Sequence, residues 1–298
     1  MRQTTQRLQE WVIERGIQLA GITAVLFVLL IFAFLLRDSV PLLQTTSLPR
    51  LVAGQRWLPT AEPAKFGLLP LILGSLYVTL GALVIAVPLG LAAAVFIGEV
   101  ARPRLREWLK PAVELLAAVP SVVFGFVGLL MVGPWLQRTF DLPVGQSALL
   151  GSLLLAFMSI PTIVSVSEDA LSAVPQALRQ NSLALGATEW QTISRVTFPA
   201  ARSGIVAACL LGLGRAIGET MTVLMVTGNA GVIPVGLKGF LYPIRTMTAT
   251  IAAEMGETAY QTPHYFALFM IGLLLFAITL ITSITADVII HRAGGVKA

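Results

Sequence analysis

Arg215 and Glu219 are two opposite charges that stand four residues apart within a long apolar stretch of this sequence. On a helix, residues i and i+4 share one face, so the two side chains can meet, and Thr222 continues that face. An arginine presents forked donors that suit the oxygens of an anion, and a neighbouring carboxylate can hold it in place. The pattern therefore predicts an oxyanion path. The alternative is a self-neutralised pair that only fixes helix packing.

A second segment, residues 175–199, has the features of a docking element. Gly186 suits the left-handed cap of one short helix, and Thr188 with Gln191 has the form of a capping box that begins another. The predicted docking face consists of Gly186, Ala187, Trp190, Ile193, Val196 and Pro199. Two interpretations stay open, an amphipathic hairpin on the membrane surface and a knob that fits a groove on a cytoplasmic partner.

The composition shows what kind of protein must position these residues. Of the 298 residues, 56% are hydrophobic and 12% are charged, and the mean hydropathy is +0.84. Soluble domains carry about 25% charged residues, so a soluble enzyme is excluded and a polytopic membrane protein is predicted. One cysteine and two histidines are too few for a site built on those ligands, so we expect no metal and no cofactor. The net charge of +5 indicates basic cytoplasmic loops rather than nucleic-acid binding.

Six apolar stretches are each long enough to cross a bilayer core of about 30 Å as a helix. They lie at residues 17–36, 68–98, 111–135, 147–166, 203–227 and 264–290. The runs are continuous rather than alternating, which favours an all-α membrane protein over a barrel. The densest basic cluster, in residues 99–110, and the basic N-terminus predict that both termini are cytoplasmic.

These spans divide the chain into three parts. Residues 1–36 are predicted to be a cytoplasmic N-terminus and a first transmembrane helix, residues 37–67 an outer loop, and residues 68–298 the transmembrane core. Within the core, the cytoplasmic loop 167–202 contains the docking element. A short interfacial helix is predicted at 246–257, in the last outer loop.

The docking element resembles the EAA loop of ATP-binding-cassette (ABC) importer permeases. That pattern is E-A-A, three residues, Gly, nine residues and I-x-L-P. Gly186 and Val196 fit the spacing and Pro199 matches its proline, whereas residues 180–182 read Q-N-S in place of E-A-A. The stretches WLP with FGLLP, ELLAAVPSVVFG and GRAIGETM, at residues 57–70, 114–125 and 214–221, are similar to the phosphate (Pst) importer permeases, and among them to the PstC-type subunit.

This resemblance implies a type I ABC importer permease fold and a permease subunit of an ATP-driven phosphate importer in the inner membrane of a bacterium. The outer loop 37–67 would then be periplasmic. The implied partners, besides membrane lipid, are a homologous second permease, two copies of a cytoplasmic ATPase and a periplasmic phosphate-binding protein. The resemblance also implies that Arg215 and Glu219 serve transport, and that the docking element contacts the ATPase.

The sequence also bears on three alternatives: an enzyme, an ion-coupled carrier and a permease for another anion. No G-x-x-x-x-G-K-[ST] motif precedes any of the four lysines, and no catalytic set stands in the spans, so the chain is not expected to be an enzyme. An ion-coupled secondary carrier would have more intramembrane acids or broken helices at an ion site. A permease for another oxyanion is the alternative within the same class. A subunit that depends on a partner ATPase explains both the docking element and the missing P-loop.

Overall fold

The computed structural model describes residues 2–293 and, within them, the side chains of residues 11, 13–44 and 46–288. Residues 294–298, the end of the predicted core, lie outside the described residues. In chain order, the helices and strands are α1 (Arg2–Thr45), α2 (Leu48–Ala53), β1 (Trp57–Leu58), β2 (Lys65–Phe66), α3 (Leu69–Val95), α4 (Pro103–Ala117), α5 (Ser121–Val127), α6 (Gly133–Thr139), α7 (Ala148–Ser172), α8 (Gln176–Ala184), α9 (Glu189–Thr192), α10 (Phe198–Ala200), α11 (Arg202–Gly218), α12 (Met221–Val226), α13 (Met247–Glu254) and α14 (Pro263–Ala293). Turns of π-helix occupy Phe96–Val100, Gly128–Val132 and Ile193–Thr197, and a 3₁₀ turn occupies Leu237–Leu241.

The predicted number of membrane crossings agrees with the helices that the structure describes. Five segments are long and apolar enough to cross, namely Ile13–Gln44, Leu69–Val100, Ser121–Thr139, Ala148–Ser172 and Pro263–Val288. A sixth candidate is the pair Glu189–Ala200 and Arg202–Gly218, whose axes are bent by 71° where they meet. The described residues therefore supply up to six spans.

The third predicted span, 111–135, is wrong in its limits. Helix α4 ends at Ala117, and the spanning segment begins at Ser121. Pro120 lies at the break, with a ψ of 137° that is outside the helical region. Proline lacks a backbone N–H and disfavours the helical conformation of the residue before it, which favours a break at this point.

The fifth predicted span, 203–227, is also wrong, because its helix stops halfway. Helix α11 ends at Gly218, Glu219 is extended (φ −69°, ψ 129°), and α12 begins at Met221. Thr248 Oγ1 donates a hydrogen bond to the Glu219 carbonyl at 2.9 Å. Backbone groups freed at a break inside a membrane need such partners, so a residue from a distant segment makes this break possible.

Residues 37–67, predicted to be an outer loop and here called the outer segment, are folded rather than a loop. Helix α1 continues to Thr45, well past the predicted limit at residue 36, and brings Leu42 into a buried cluster with 2% exposure. Helix α2 and the antiparallel pair β1–β2 follow, with Trp57 opposite Phe66. Trp57 is 3% exposed and packs in the same cluster, so it belongs to the core.

Helices α3 and α7 form the centre of the molecule. Their facing residues include Val78, Ala82, Leu155 and Ile163, all of them buried. Gly90 is needed at this contact, because a Cβ atom there would lie 2.8 Å from a methyl carbon of Ile163. On the outside, α1 packs against α14 and leaves its other apolar side chains exposed, as lipid contact requires.

The helix predicted at 246–257 is present, but it is partly buried in the protein instead of lying at the membrane interface. The structure has α13 at Met247–Glu254. Its first residues, including Thr248 and Thr250, are buried against α3 and α12 instead of lying on the surface. Thr246 caps the helix by accepting a hydrogen bond from Ala249 N at 3.3 Å. This helix therefore helps to build the interior beside Glu219.

Candidate functional site

Arg215 lies on the last turn of α11 and is half-buried. Its Nη1 donates a hydrogen bond to Thr162 Oγ1 on α7 at 3.4 Å. Among the described residues, this is the one hydrogen-bond partner of the guanidinium. Since an arginine has five N–H donors, most of them are available to another group.

Glu219 does not pair with Arg215 in the described structure, contrary to the expectation from their spacing. The helix ends between them, so the i, i+4 geometry is lost. Glu219 Oε1 instead accepts a hydrogen bond from the backbone N–H of Thr222 at 3.3 Å. The carboxylate therefore helps to begin α12 and leaves Arg215 without a neutralising partner.

Thr222, predicted to line the same path, is buried and serves as a contact between helices. Its hydroxyl donates to the carbonyl of Ser121 at 2.8 Å and lies 3.4 Å from the sulfur of Met158. This hydroxyl joins α12 to the start of α5 just after the break at Pro120. Thr222 thus positions the segment that carries Glu219.

A cavity of about 10 Å³ adjoins Glu219, a volume that suits one water molecule. Hydroxyl side chains from two other helices line it: Ser75 and Thr79 of α3, and Thr246 and Thr248 at α13. None of these four residues was predicted from the sequence to belong to the site. Ser75 and Thr79 gave a weak signal, because they stand four residues apart in an apolar span and so share a face.

The docking element has the predicted local structure. Gly186 has a φ of +86°, which confirms the left-handed turn after α8. Thr188 Oγ1 accepts from Gln191 N at 3.2 Å, and Gln191 Oε1 accepts from Thr188 N at 2.9 Å, which confirms the capping box. The hydroxyls of Ser182 and Thr192 lie 3.0 Å apart and tie the two short helices together.

The residues predicted for the docking face differ in their exposure. Leu185 and Trp190 are 89% and 65% exposed, and Gly186 and Pro199 are also exposed. Ile193, by contrast, is only 9% exposed. Ala187 and Val196 are half-buried. The accessible apolar surface is therefore the tip around Gly186, and Leu185, which the sequence analysis did not include, is its most exposed side chain.

Arg179 attaches this element to the membrane helices. Its Nη2 donates to Glu99 Oε1 and to the carbonyl of Leu171, both at 2.7 Å, and Nη1 donates to the carbonyl of Val174 at 3.2 Å. Glu99 lies in the π-helical turn that follows α3. One guanidinium therefore joins α8 to the end of α7 and to the turn that follows α3.

Glu168 of α7 is a buried carboxylate that holds α4 in place. It is 1% exposed and contacts Lys110 Nζ at 2.7 Å, a nitrogen of Arg106, and the hydroxyl of Ser172. The hydrogen bond to Glu168 raises the pKa of Lys110 above its ordinary value. The sequence assigned Arg106 and Lys110 only to a basic loop, because Glu168 is about 60 residues away.

At the opposite end of the molecule, Glu254 of α13 connects three segments. Its carboxylate accepts from Trp57 Nε1 at 3.1 Å and from Arg245 Nη1 at 2.5 Å, and it lies 2.8 Å from His264 Nε2. Trp57 belongs to the outer segment and His264 to the start of α14. This group fixes the outer segment against the transmembrane core.

Comparisons with known proteins agree with these features. Residues 86–294 match the family described as binding-protein-dependent transport system inner membrane components. The chain belongs to this family. The permease is 41% identical over 223 residues to the probable ABC transporter permease protein YqgH of Bacillus subtilis (strain 168), covering 75% of this chain and 71% of that protein. It is 35% identical over 260 residues to the phosphate transport system permease protein PstC of Mesorhizobium japonicum, covering 81% and 78%.

Solved structures show the same fold. The permease resembles a chain of a bacterial alginate ABC transporter in complex with its periplasmic protein, with a TM-score of 0.64, 17% identity, and 97% of each chain covered. It also resembles a chain of the inward-facing MetNI methionine ABC transporter, with a TM-score of 0.56, 17% identity, and 76% and 94% covered. The predicted fold class, an all-α type I ABC importer permease, is therefore confirmed.

Proposed function

We propose that this permease is a subunit of an ATP-driven importer of inorganic phosphate, and that Arg215 contacts the anion as it crosses the membrane. The observation that carries the proposal is a half-buried guanidinium in an apolar helix with one long hydrogen bond. An arginine at the centre of a bilayer costs about 2.5–3.5 kcal/mol, so a compensating group is needed there, and a passing anion supplies it. Relatives named as phosphate transport permeases support phosphate as that anion.

Arg215 and Glu219 have different tasks in this mechanism. The guanidinium fork binds two oxygens of the phosphate. Glu219, beyond the end of α11, adds a negative charge near the path, which repels the anion and limits how long it stays bound. A path with an unopposed cation would hold phosphate instead of releasing it.

The energy for transport comes from a partner in this proposal. The exposed tip at Leu185, Gly186 and Trp190 docks on a cytoplasmic ATPase, and Arg179 transmits its motion to α3 and α7. The complete importer contains a homologous second permease, two copies of the ATPase and a periplasmic phosphate-binding protein in the inner membrane. ATP binding closes the ATPases and exposes the Arg215 path to alternate sides.

The substitution Arg215→Ala tests the role of the guanidinium. We expect uptake of radiolabelled phosphate by the complete importer in proteoliposomes to fall by at least about tenfold, because a charge-assisted hydrogen bond is worth about 1.5–3 kcal/mol. Arg138→Ala is the matched control, since it removes an exposed arginine from α6, and it should keep the parental rate. Both variants should reach the membrane in equal amounts.

Two results would contradict the proposal. The first is a parental rate of phosphate uptake by Arg215→Ala. The second is a parental importer that carries sulfate in preference to phosphate when the two anions compete, which would support the alternative oxyanion.

A further inference from the structure

A pocket of 420 Å³ lies in the outer segment, between α2, the turn after it and strand β2. The side chains of Arg50, Arg56 and Lys65 line it, together with the polar side chains of Thr46 and Gln55. No carboxylate is among its lining residues. The pocket is thus surrounded by hydrogen-bond donors and by three positive charges.

These three cations differ from the others described above. Among the described residues, the side chains of Arg50, Arg56 and Lys65 make no hydrogen bond and no ion pair, and all three are exposed. At the same end of the molecule, Arg245 is 2.5 Å from a carboxylate oxygen of Glu254. The pocket therefore carries charge that nothing in the described chain neutralises.

The backbone beneath the cations is held in a fixed arrangement. Gly67 N donates to the Arg56 carbonyl at 2.9 Å, and Leu68 N donates to the Leu51 carbonyl at 2.8 Å. A Cβ atom on Gly54 would lie 2.6 Å from the Cα of Gly67, so the two backbones touch there and only glycine fits. The cations project from a preorganised frame, which reduces the ordering that a ligand must impose.

The position of the pocket explains which ligands can reach it. It lies in the sequence between the candidate spans Ile13–Gln44 and Leu69–Val100, and therefore at the membrane surface. In the predicted topology this is the outer side, where the positive-inside rule disfavours a concentration of lysine and arginine. Three uncompensated cations around one pocket repel one another, and an anion at its centre removes that repulsion.

We propose that this pocket binds a phosphate group. Arginine forks and a lysine ammonium suit phosphate oxygens, and the volume accommodates either free inorganic phosphate or the headgroup of an anionic phospholipid such as phosphatidylglycerol. For the lipid, the pocket anchors the outer segment to the membrane. For the free ion, the pocket collects inorganic phosphate at the outer end of the permease. Binding of the free ion rests on the proposed function, whereas binding of the lipid does not.

The test uses the purified full chain, without ATPase, and the variant Arg50→Gln/Arg56→Gln. The matched control is Arg138→Gln/Lys238→Gln, which removes two exposed cations elsewhere. In the lipid arm, native mass spectrometry measures phosphatidylglycerol retained from mixed nanodiscs. In the phosphate arm, equilibrium dialysis measures binding of radiolabelled phosphate in phosphatidylcholine nanodiscs. We expect the pocket variant to lose about tenfold in affinity in one of the two arms, because each basic residue contributes separately, and the control to lose little.

The arm in which the pocket variant loses affinity shows whether the pocket binds the lipid headgroup or free phosphate. Equal retention of both anions by the pocket variant and the control overturns the proposal. So does a pocket variant that keeps both anions but no longer binds the periplasmic binding protein, because the surface is then a protein contact. If the glutamine variant does not fold, Arg50→Lys/Arg56→Lys and a salt titration of the parental chain replace it. Lysine keeps the charge but loses the fork, so binding must weaken only in part with the lysine changes, and it must also weaken with salt; complete loss with lysine, or binding that does not respond to salt, overturns the proposal.

Discussion

Glu219 uses its backbone and its side chain for different contacts. The carbonyl accepts from Thr248 Oγ1, and the carboxylate accepts from the Thr222 N–H. A glutamine has a carbonyl oxygen in the place of Oε1, so it can keep both bonds while it removes the charge. The electrostatic role of this residue can therefore be separated from its structural role.

We expect Glu219→Gln to hold phosphate more tightly and to transport it more slowly. Removing a negative charge near the path strengthens phosphate binding and lowers KM, and the slower release of phosphate lowers kcat. We expect each constant to fall by about two- to tenfold, which corresponds to the energy of a partly screened charge pair. Uptake kinetics of the reconstituted importer measure both constants. Glu257→Gln, which changes an exposed carboxylate in the turn between α13 and α14, is the control. Parental KM and kcat for Glu219→Gln would show that the charge has no part in transport.

The sequence identified these polar residues but not their partners. Arginine, glutamate and threonine within an apolar stretch are conspicuous, because a bilayer penalises each of them. Their pairing was predicted from a continuous helix, but the helix ends at Gly218, and Thr248, 29 residues along the chain from Glu219, satisfies a carbonyl at the break. Local spacing carries no information about a partner at such a distance.

At the scale of elements, one guanidinium makes polar contacts between the docking element and both central helices. Arg179 binds Glu99, after α3, the carbonyl of Leu171 in the last turn of α7, and the carbonyl of Val174, just after α7. Loss of the carboxylate alone leaves the two carbonyl contacts, so α8 stays attached to α7 and is released only from α3. A substitution of Glu99 therefore tests the link to α3 alone, whereas a substitution of Arg179 would remove all three contacts.

We expect Glu99→Gln to uncouple ATP hydrolysis from transport in part. A neutral amide binds the guanidinium more weakly than a carboxylate does, so motion of the docking element reaches α3 less efficiently. The ratio of ATP hydrolysed to phosphate imported by the reconstituted complex should rise by about two- to fivefold, with little change in thermal stability. Glu107→Gln, an exposed carboxylate on α4, is the control. If Glu99→Gln kept the parental ratio of ATP hydrolysed to phosphate imported, the Arg179–Glu99 ion pair would have no part in coupling.

Gly186 was predictable because its role is local. Its φ of +86° disfavours any β-branched residue, and open space surrounds its Cα. A side chain at position 186 would therefore strain the backbone but would not collide with neighbouring atoms.

We expect Gly186→Val to reduce ATP-coupled uptake by at least about fivefold, through about 1–2 kcal/mol of strain at the turn. Gly186→Asn should keep most of the activity, because asparagine tolerates the left-handed conformation. Uptake and copurification of the ATPase measure the effect. Equal activity of the two variants would mean that the shape of the turn does not matter for docking.

At the scale of the whole molecule, composition and continuous apolar runs were enough to predict a polytopic helical protein, because the bilayer imposes both. The breaks at Pro120 and Glu219 show what such patterns miss. The first stands at a proline, a residue that disfavours a continuous helix, but Pro88 and Pro161 lie inside α3 and α7, so residue type alone does not locate the break. The second depends on tertiary hydrogen bonds and could not be found in the sequence.

The contacts between the ends of the helices determine how the chain crosses the membrane. Tyr265, near the start of α14, lies 3.3 Å from Asp38, near the end of the apolar part of α1, so α1 and α14 are antiparallel. His264 also contacts the ring of Trp57, which precedes α3. The start of α14 therefore lies at the same end of the molecule as Trp57 and the end of α1, and this arrangement predicts a full crossing for the bent pair that ends in α11.

Reporter fusions test this arrangement against its alternative. If the break at Glu219 made α11 and α12 a re-entrant loop, the number of crossings would be five and the termini would lie on opposite sides of the membrane. With six crossings and cytoplasmic basic loops, we expect fusions after residues 140 and 240 to report the periplasm and a fusion after residue 298 to report the cytoplasm. A periplasmic signal after residue 298 would contradict six crossings. A cytoplasmic signal after residue 140 would reverse the whole orientation and place the Gly186 tip where no ATPase can reach it.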